Sequence, residues 1–560
     1  MKIKNLLITS LAIFALNSSM QAQDRPNVIL ILVDDMGWSN IGCYGGMVET
    51  PNIDRLAADG LRFDQFYNAA RCCPTRATLM TGLHPHQVGI GHMTLPMSNN
   101  EDAPPGESRG YVVLTEEDMA EVPSSYQGYL YSHIPTLPEM LQEAGYGTYI
   151  TGKWHLASGQ PETWPTQRGF DRFYGHLAGT SDFFDPRNLY RGNNPIRAHG
   201  DRYYITDAIS EEAIEYITDH QNERVGEPFF LYLAYNAPHF PLQCMPEDYE
   251  KYRGRFMEGW DVLRARRLEK QKEMGLVPKN TELTPRPDVV PAWEALTPEK
   301  QNEMDAIMST YAAMVDRVDQ NIGKLIKHLE NTNDLENTLI FFLSDNGGEA
   351  ETGPLGQFKF EDLGQYGKGG NKYGRGWATM SNTPFREYKH YTHQGGVQTP
   401  MVVHWPKGIS AGPKNRFVRQ YGYLPDIVET IMDVAEASRP SSYKGKEVPR
   451  GEGVSFVNSL KGSNILIHQE PICIEHEGNR ISRQGRWKLV SYYDKPWELF
   501  DLDADRSEAN DLIDKHPDIA NKLIKAYDEW ADRAGVIHWD EAQHFSVYEI
   551  RKAKRAREEN

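Results

Sequence analysis

A chain of 560 residues has room for one large domain and a smaller one, and its 39% hydrophobic content is ordinary for a globular protein. The formal net charge of -18 excludes the basic footprint that nucleic acid and anionic membrane surfaces require. Five scattered cysteines are too few for a disulfide-stapled scaffold, and the odd number leaves at least one thiol unpaired.

The start, MKIKNLLITSLAIFALNSSMQAQ, combines flanking lysines, an apolar run from Leu6 to Leu16 and a small residue at Ala22. It is read as a signal peptide over residues 1–22, with an exported product, periplasmic or secreted. That run is too short to cross a bilayer, and no later stretch reaches about 18 uninterrupted apolar residues, so no membrane span is expected.

The first strand signal is "NVILILVDDMGW", apolar from Val28 to Val33 and then abruptly Asp34 and Asp35. Next comes "NAARCCPTRATLMTG". Pro74 suits the first turn of a helix that stops near Gly82, which sets Cys72 at the positive, donor-rich N-terminus and Arg76 one turn in. Adjacent alpha carbons lie about 3.8 Å apart, too close for an unstrained bridge between Cys72 and Cys73. Three more apolar runs repeat the strand design: "YGTYITGKWHL" ends in Lys153 and His155, "PFFLYLAYNAPHFP" reaches His239, and "NTLIFFLSDNGGE" reaches Asp345 and Asn346. Continuous apolar runs are the mark of strands buried on both faces of a mostly parallel sheet.

Between them, residues 246–300 are charged and Pro-rich and are read as a surface insertion with a solvated helix. From Met308, the residues Tyr311, Val315, Val318, Ile322, Leu325 and Leu329 form one helical stripe that covers a sheet. Strands alternating with helices predict a doubly wound α/β fold, which gathers ligands at the carboxyl ends of its strands. All four polar clusters fall on that edge. Residues Lys461 to Asn464 read as a linker. The aromatic strand runs and the helix after it predict a C-terminal α+β subdomain over 463–560, which leaves 23–462 as the catalytic domain.

Three carboxylates and an amide oxygen, Asp34, Asp35, Asp345 and Asn346, make a hard-oxygen set that suits calcium or magnesium rather than zinc. The motif C-x-P-x-R followed by A-T-L-M-T-G resembles the signature of the type I sulfatases, within the alkaline phosphatase superfamily. "TPNIDRLAADG", "GKWHL", "APHFP", "SDNGG" and "GGVQTP" follow in that family's order. The resemblance implies an alkaline phosphatase-like sheet and calcium held by Asp34, Asp35, Asp345, Asn346 and an oxygen of residue 72. It also implies a Cys72 oxidised to formylglycine by a dedicated maturation enzyme, so that a gem-diol replaces a thiol as nucleophile. Lys153 and His155 match the family's pair beside the nucleophile, and His239 matches a second active-site histidine. Lys389 keeps the family spacing to the G-G motif, although Gln394 stands where glutamate is usual.

In this reading Arg76, Lys153 and Lys389 clamp the sulfate oxygens, His239 or Lys389 protonates the leaving alcohol, and His155 accepts the proton that drives elimination. His92, His176, Asp182 and Phe183 are weaker candidates for contact with sugar. The substrate expected is a sulfated carbohydrate. The rivals are a phosphonate or phosphate ester hydrolase of the same superfamily and a catalytically silent glycan-binding protein.

Overall fold

A computed structural model describes residues 25–94, 120, 122–157, 161–200, 202–357, 371–409, 414–463 and 465–545. The signal peptide expected over 1–22 lies outside them, as do Asn464 and the charged tail from Arg551.

An eleven-stranded sheet organises the chain, with strands β1 (Asn27–Val33), β2 (Leu61–Tyr67), β3 (Gly147–Lys153), β4 (Arg172–His176), β5 (Leu189–Arg191), β6 (Asn194–Ile196), β7 (Phe229–Ala234), β8 (Thr338–Ser344), β9 (Gln398–His404), β10 (Arg416–Val418) and β11 (Gly422–Tyr423). The order runs β10-β2-β9-β8-β1-β7-β3-β4-β5-β6, with β11 also pairing β2. The four strands read from the apolar runs, β8, β1, β7 and β3, are central neighbours and all parallel. Antiparallel pairing is confined to β9 with its two neighbours and to the β4–β5–β6 ribbon. The doubly wound α/β expectation therefore holds in a mixed but mostly parallel sheet.

Alternation along β1 sends Ile29, Ile31 and Val33 into one core layer and Val28, Leu30 and Leu32 into the other. The first layer packs under the long Pro298–Asn331 helix, whose whole predicted stripe is buried there. Thr297 caps that helix by accepting the Lys300 amide, a device worth about 1 kcal/mol. The second layer holds the Cys72–Thr81 and Leu424–Val434 helices.

The helix in the charged insertion is solvated on one face only. Gly259–Glu273 buries Trp260, Leu263, Arg264, Arg267, Leu268 and Gln271. Arg267 donates to Ser39 Oγ and to the Met380 carbonyl, and Arg264 to Thr284, so these buried guanidiniums serve as hydrogen-bond donors to the loops beneath. Past the linker, Ile472–His476, Asn479–Gln484, Trp487–Ser491 and Glu498–Asp501 form a four-stranded antiparallel sheet backed by the Pro517–Ala534 helix. All five cysteines are free and buried.

Candidate active site

The four central strands end together, and each delivers its polar residues at the same edge. Asp34 and Asp35 follow β1, Lys153 closes β3 with His155 two residues on, His239 follows β7, and Asp345 and Asn346 follow β8. Asp35 and His155 adopt left-handed φ values of 66° and 54°, strain that a non-glycine residue keeps only where surrounding contacts dictate it.

Cys72 is the first residue of its helix, with Arg71 as an extended N-cap and Gly82 as a left-handed C-cap. Thr75 locks this helix to the sheet: its hydroxyl donates to the Asp345 carbonyl at 2.7 Å and accepts the Ala69 amide at 3.0 Å. Arg76, one turn into the helix, reaches Asp345 Oδ2 at 2.9 Å and Asp34 Oδ2 at 3.5 Å, all fully buried. Lys153 Nζ lies 2.5 Å from Asp34 Oδ2. Lys389, the less obvious of the two lysines in sequence, places Nζ 2.9 Å from Asp35 Oδ1. His239 Nε2 is 3.5 Å from Asp35 Oδ2, and its Nδ1–H donates to the Phe240 carbonyl at 2.6 Å.

Three carboxylates thus face three fixed cations. Burial raises the Asp34 carboxyl, but Lys153, His239 and Arg76 together outweigh burial and hold it below the ordinary range. Burial, together with Asp34, pushes Asp345 well up. At Cys72 a hydrogen bond from Cys73 is the largest influence and lowers the thiol; burial opposes it, and Lys153 and His155 lower it further. Burial brings His155 down to about 4 and also lowers His239, which leaves both imidazoles neutral near pH 7. Lys389 is depressed by burial, yet Asp35 and Glu351 raise it on balance and keep it charged.

The donor set passes a direct test for a hard cation. Asp34 Oδ1 and Asn346 Oδ1 are buried oxygens with no hydrogen-bond partner, a costly state for a polar atom unless an ion uses it. Asp34, Asp35 and His239 offer ligand atoms within 4.8 Å of one another. The arrangement would accept a divalent ion, whose charge would add to that of Arg76, Lys153 and Lys389 toward an anion.

Two residues at the rim were not read from sequence. Arg71 pairs with Glu351, and burial of that glutamate is outweighed by Lys389, Arg71 and His239, which bring it down to about 2. Its only sequence signal is its place just beyond "SDNGG". Two weaker candidates have structural contacts. Phe183 is fully buried in the core, and Asp182 orders a turn by accepting the Phe184 and Asp185 amides and the Gln243 side chain. His176 is buried beside Lys153 on β4 with Nδ1 on the Ala178 carbonyl, a supporting place rather than a sugar contact. His92 remains at the rim, 3.0 Å from Glu477.

A helix N-terminal cysteine near buried cations, at the carboxyl edge of a doubly wound sheet with an oxygen-rich cluster, suits a hydrolase of anionic esters. The sulfatase family model matches residues 26–437, and a model of the N-sulphoglucosamine sulphohydrolase C-terminal region matches 387–531. An uncharacterized sulfatase of Schizosaccharomyces pombe is 32% identical over 92% of this chain and 94% of its own. An arylsulfatase of Klebsiella aerogenes is 31% identical over 78% of this chain and 92% of its own. The crystal structure of Ps i-CgsB in complex with a neocarrahexaose is similar at a TM-score of 0.63 and 25% identity, covering 90% of this chain and 93% of the other. The chain belongs to the sulfatase family of the alkaline phosphatase superfamily, and its activity is that of a sulfuric ester hydrolase. Among the described residues, no helix is long and apolar enough to cross a membrane.

Proposed function

We propose that this protein is an exported, calcium-dependent carbohydrate sulfatase. It removes sulfate from a terminal position of a sulfated glycan, with formylglycine made from Cys72 by a maturation enzyme as its nucleophile. The observation that carries the reading is the meeting of Asp34, Asp35, Asp345 and Asn346 with Arg76, Lys153 and Lys389 around the first residue of one helix. The carbohydrate half draws support from the oligosaccharide bound by the related Ps i-CgsB. We assign residues 23–462 to the catalytic domain and 463–560 to a C-terminal α+β subdomain.

Asp34, Asp35, Asp345, Asn346 and an oxygen of residue 72 would hold the calcium, which supplies positive charge against the attacking oxygen. The formylglycine hydrate supplies that oxygen and a second hydroxyl for the later elimination.

The protein's own groups do the rest. Arg76 is immobilised by Asp345 and by the Lys153 carbonyl at 3.0 Å, so it and the helix N-terminus are held in place before the ester arrives. Lys153, paired with Asp34, and Lys389, paired with Asp35, would turn their ammonium groups to the ester where an ion held those carboxylates. His155, neutral through burial, takes the proton of the remaining hydroxyl as the carbonyl reforms and sulfate departs. His239 or Lys389 gives a proton to the leaving sugar oxygen.

Intact-peptide mass spectrometry across residues 71–76, paired with a screen of sulfated saccharides, tests the proposal. It expects an aldehyde-bearing residue 72 and turnover of a sugar sulfate far above matched phosphate esters. An unmodified thiol in fully active enzyme, or phosphate esters winning by orders of magnitude, overturns it.

A further inference from the structure

A second group of ligating side chains begins at His390, next to Lys389 in the chain. His476 ends the first C-terminal strand, Glu477 opens the turn after it, and His390 directly follows Lys389. His390 Nδ1 is 3.0 Å from Glu477 Oε2, and His476 Nε2 is 3.4 Å from Glu477 Oε1. The three ligand atoms all lie within 4.8 Å of one another.

These separations can be compared with what an ion requires. Tetrahedral zinc with bonds of about 2.0–2.1 Å sets its ligand atoms about 3.3 Å apart. The His390–Glu477 and His476–Glu477 separations, one to each carboxylate oxygen, lie near that spacing, and the third edge is within 4.8 Å. His476 makes the stronger point. It is wholly buried, and neither of its ring nitrogens has a hydrogen-bond partner. A buried imidazole with both nitrogens unsatisfied is costly, and a metal bond removes part of that cost. Burial keeps the ring neutral, so a lone pair is available.

We propose that His390, His476 and Glu477 bind a transition-metal ion of the zinc class, which clasps the C-terminal sheet to the catalytic loops. Two imidazoles and one carboxylate favour such an ion over calcium or magnesium, so this site and the oxygen-rich one select different metals. His92 belongs to its support. Its Nδ1 accepts the Met93 amide at 2.5 Å, which leaves Nε2–H to donate to Glu477 Oε1 at 3.0 Å and orient the carboxylate. The His92 ring is itself held by stacking on Trp539 at 4.9 Å.

The remaining backbone contacts explain why a clasp here matters. His390 donates its amide to the Ala70 carbonyl, two residues before Cys72, and directly follows Lys389. A bound ion therefore ties the segment carrying the nucleophile and the segment carrying a clamp lysine to one turn of the subdomain. The His390 and Glu477 side chains are 29% and 16% exposed, so one side of the site is open for a fourth ligand, a water molecule.

The test uses the full-length mature chain in calcium buffer, titrated with Co2+ and with Zn2+. Wild type should take up one equivalent of transition metal and show the strong visible absorption of four-coordinate cobalt. His476→Ala and Glu477→Gln should lose both by at least about 100-fold in affinity, while His92→Phe should weaken binding by about 10–100-fold and keep the spectrum. Calcium binding and far-ultraviolet circular dichroism should stay unchanged in each variant. Should His476→Ala misfold, the near-isosteric Glu477→Gln still decides. Wild type without the cobalt spectrum, or Glu477→Gln with undiminished stoichiometry, overturns the proposal in favour of a metal-free cage of imidazole N–H groups around Glu477.

Discussion

Lys389 Nζ sits between the two oxygens of Asp35, 2.9 Å from Oδ1 and 3.0 Å from Oδ2. An ammonium in that place is both a competitor of the divalent ion for Asp35 and the nearest mobile cation for the substrate. Lys389→Ala should lower kcat/KM by about 10²–10³-fold, the range seen when one preorganised donor is removed from a developing oxyanion. Its calcium affinity should not fall, because the competitor is gone. Initial rates on a sugar sulfate and calorimetric titration measure the two effects. A joint loss of activity and calcium binding would show that the lysine supports the ion site instead.

Removal of the ion should stop turnover. With the chelator in place, the three carboxylates are neutralised only by Arg76, Lys153 and Lys389, which are then unavailable to an anion. Calcium should restore activity, and it should raise Tm with concentration by mass action, about 2.7 kcal/mol at a hundredfold excess over Kd. Asp345→Asn should abolish the Tm response. Thermal scans across a calcium series check both.

How far the sequence leads depends on where the signal is local. β1, β7 and β8 were legible because strands buried on both faces are mostly apolar, so each run ends sharply near Asp34, Ala234 or Ser344, and β3 through its shorter apolar centre before Lys153. The long helix was legible through its stripe. Arg71 with Glu351, and His390 with Glu477, were not, because each pair is assembled from segments far apart in the chain and carries no periodicity. Charge alone misled in the insertion: Arg264 and Arg267 look solvated in sequence, yet their guanidiniums bond to loop oxygens within the fold. Gln394 was noticed as a departure from glutamate. Its place is explained by Lys488 and Glu508 of the C-terminal region, which meet it at 3.1 Å from Nζ to Oε1 and 2.8 Å from its amide to Oε2.

That buried pair supplies a stability signature. Burial lowers Lys488 to about 8, with Glu508 opposing, against an ordinary lysine value of 10.5. Below pH 8 both folded and unfolded chains keep the proton. Between about 8 and 10.5 the unfolded chain binds more protons, so this residue makes stability rise with pH in that window. In the Lys488→Met, Glu508→Gln double variant this contribution should vanish. Denaturant midpoints from pH 7.5 to 10 give the comparison, and an identical slope in both proteins would contradict the shift.

The leaving-group acid separates His239 from Lys389 through chemistry that needs no further structure. His239 donates Nδ1–H to a carbonyl, so its Nε2 can give a proton only when the ring is charged, and burial disfavours that charge. Lys389 carries its proton throughout the neutral range because Asp35 and Glu351 outweigh burial. An acid matters most when the departing oxygen is basic, as in a sugar alcohol, and least for a nitrophenolate. The variant lacking the true acid should lose about 10²–10⁴-fold on a sugar sulfate and far less on a nitrophenyl sulfate. On these grounds Lys389→Ala should show the steep dependence of rate on leaving-group pKa, and His239→Ala the shallow one. Rates over a series of aryl and alkyl sulfates decide it, and the reverse pattern would assign the proton to His239.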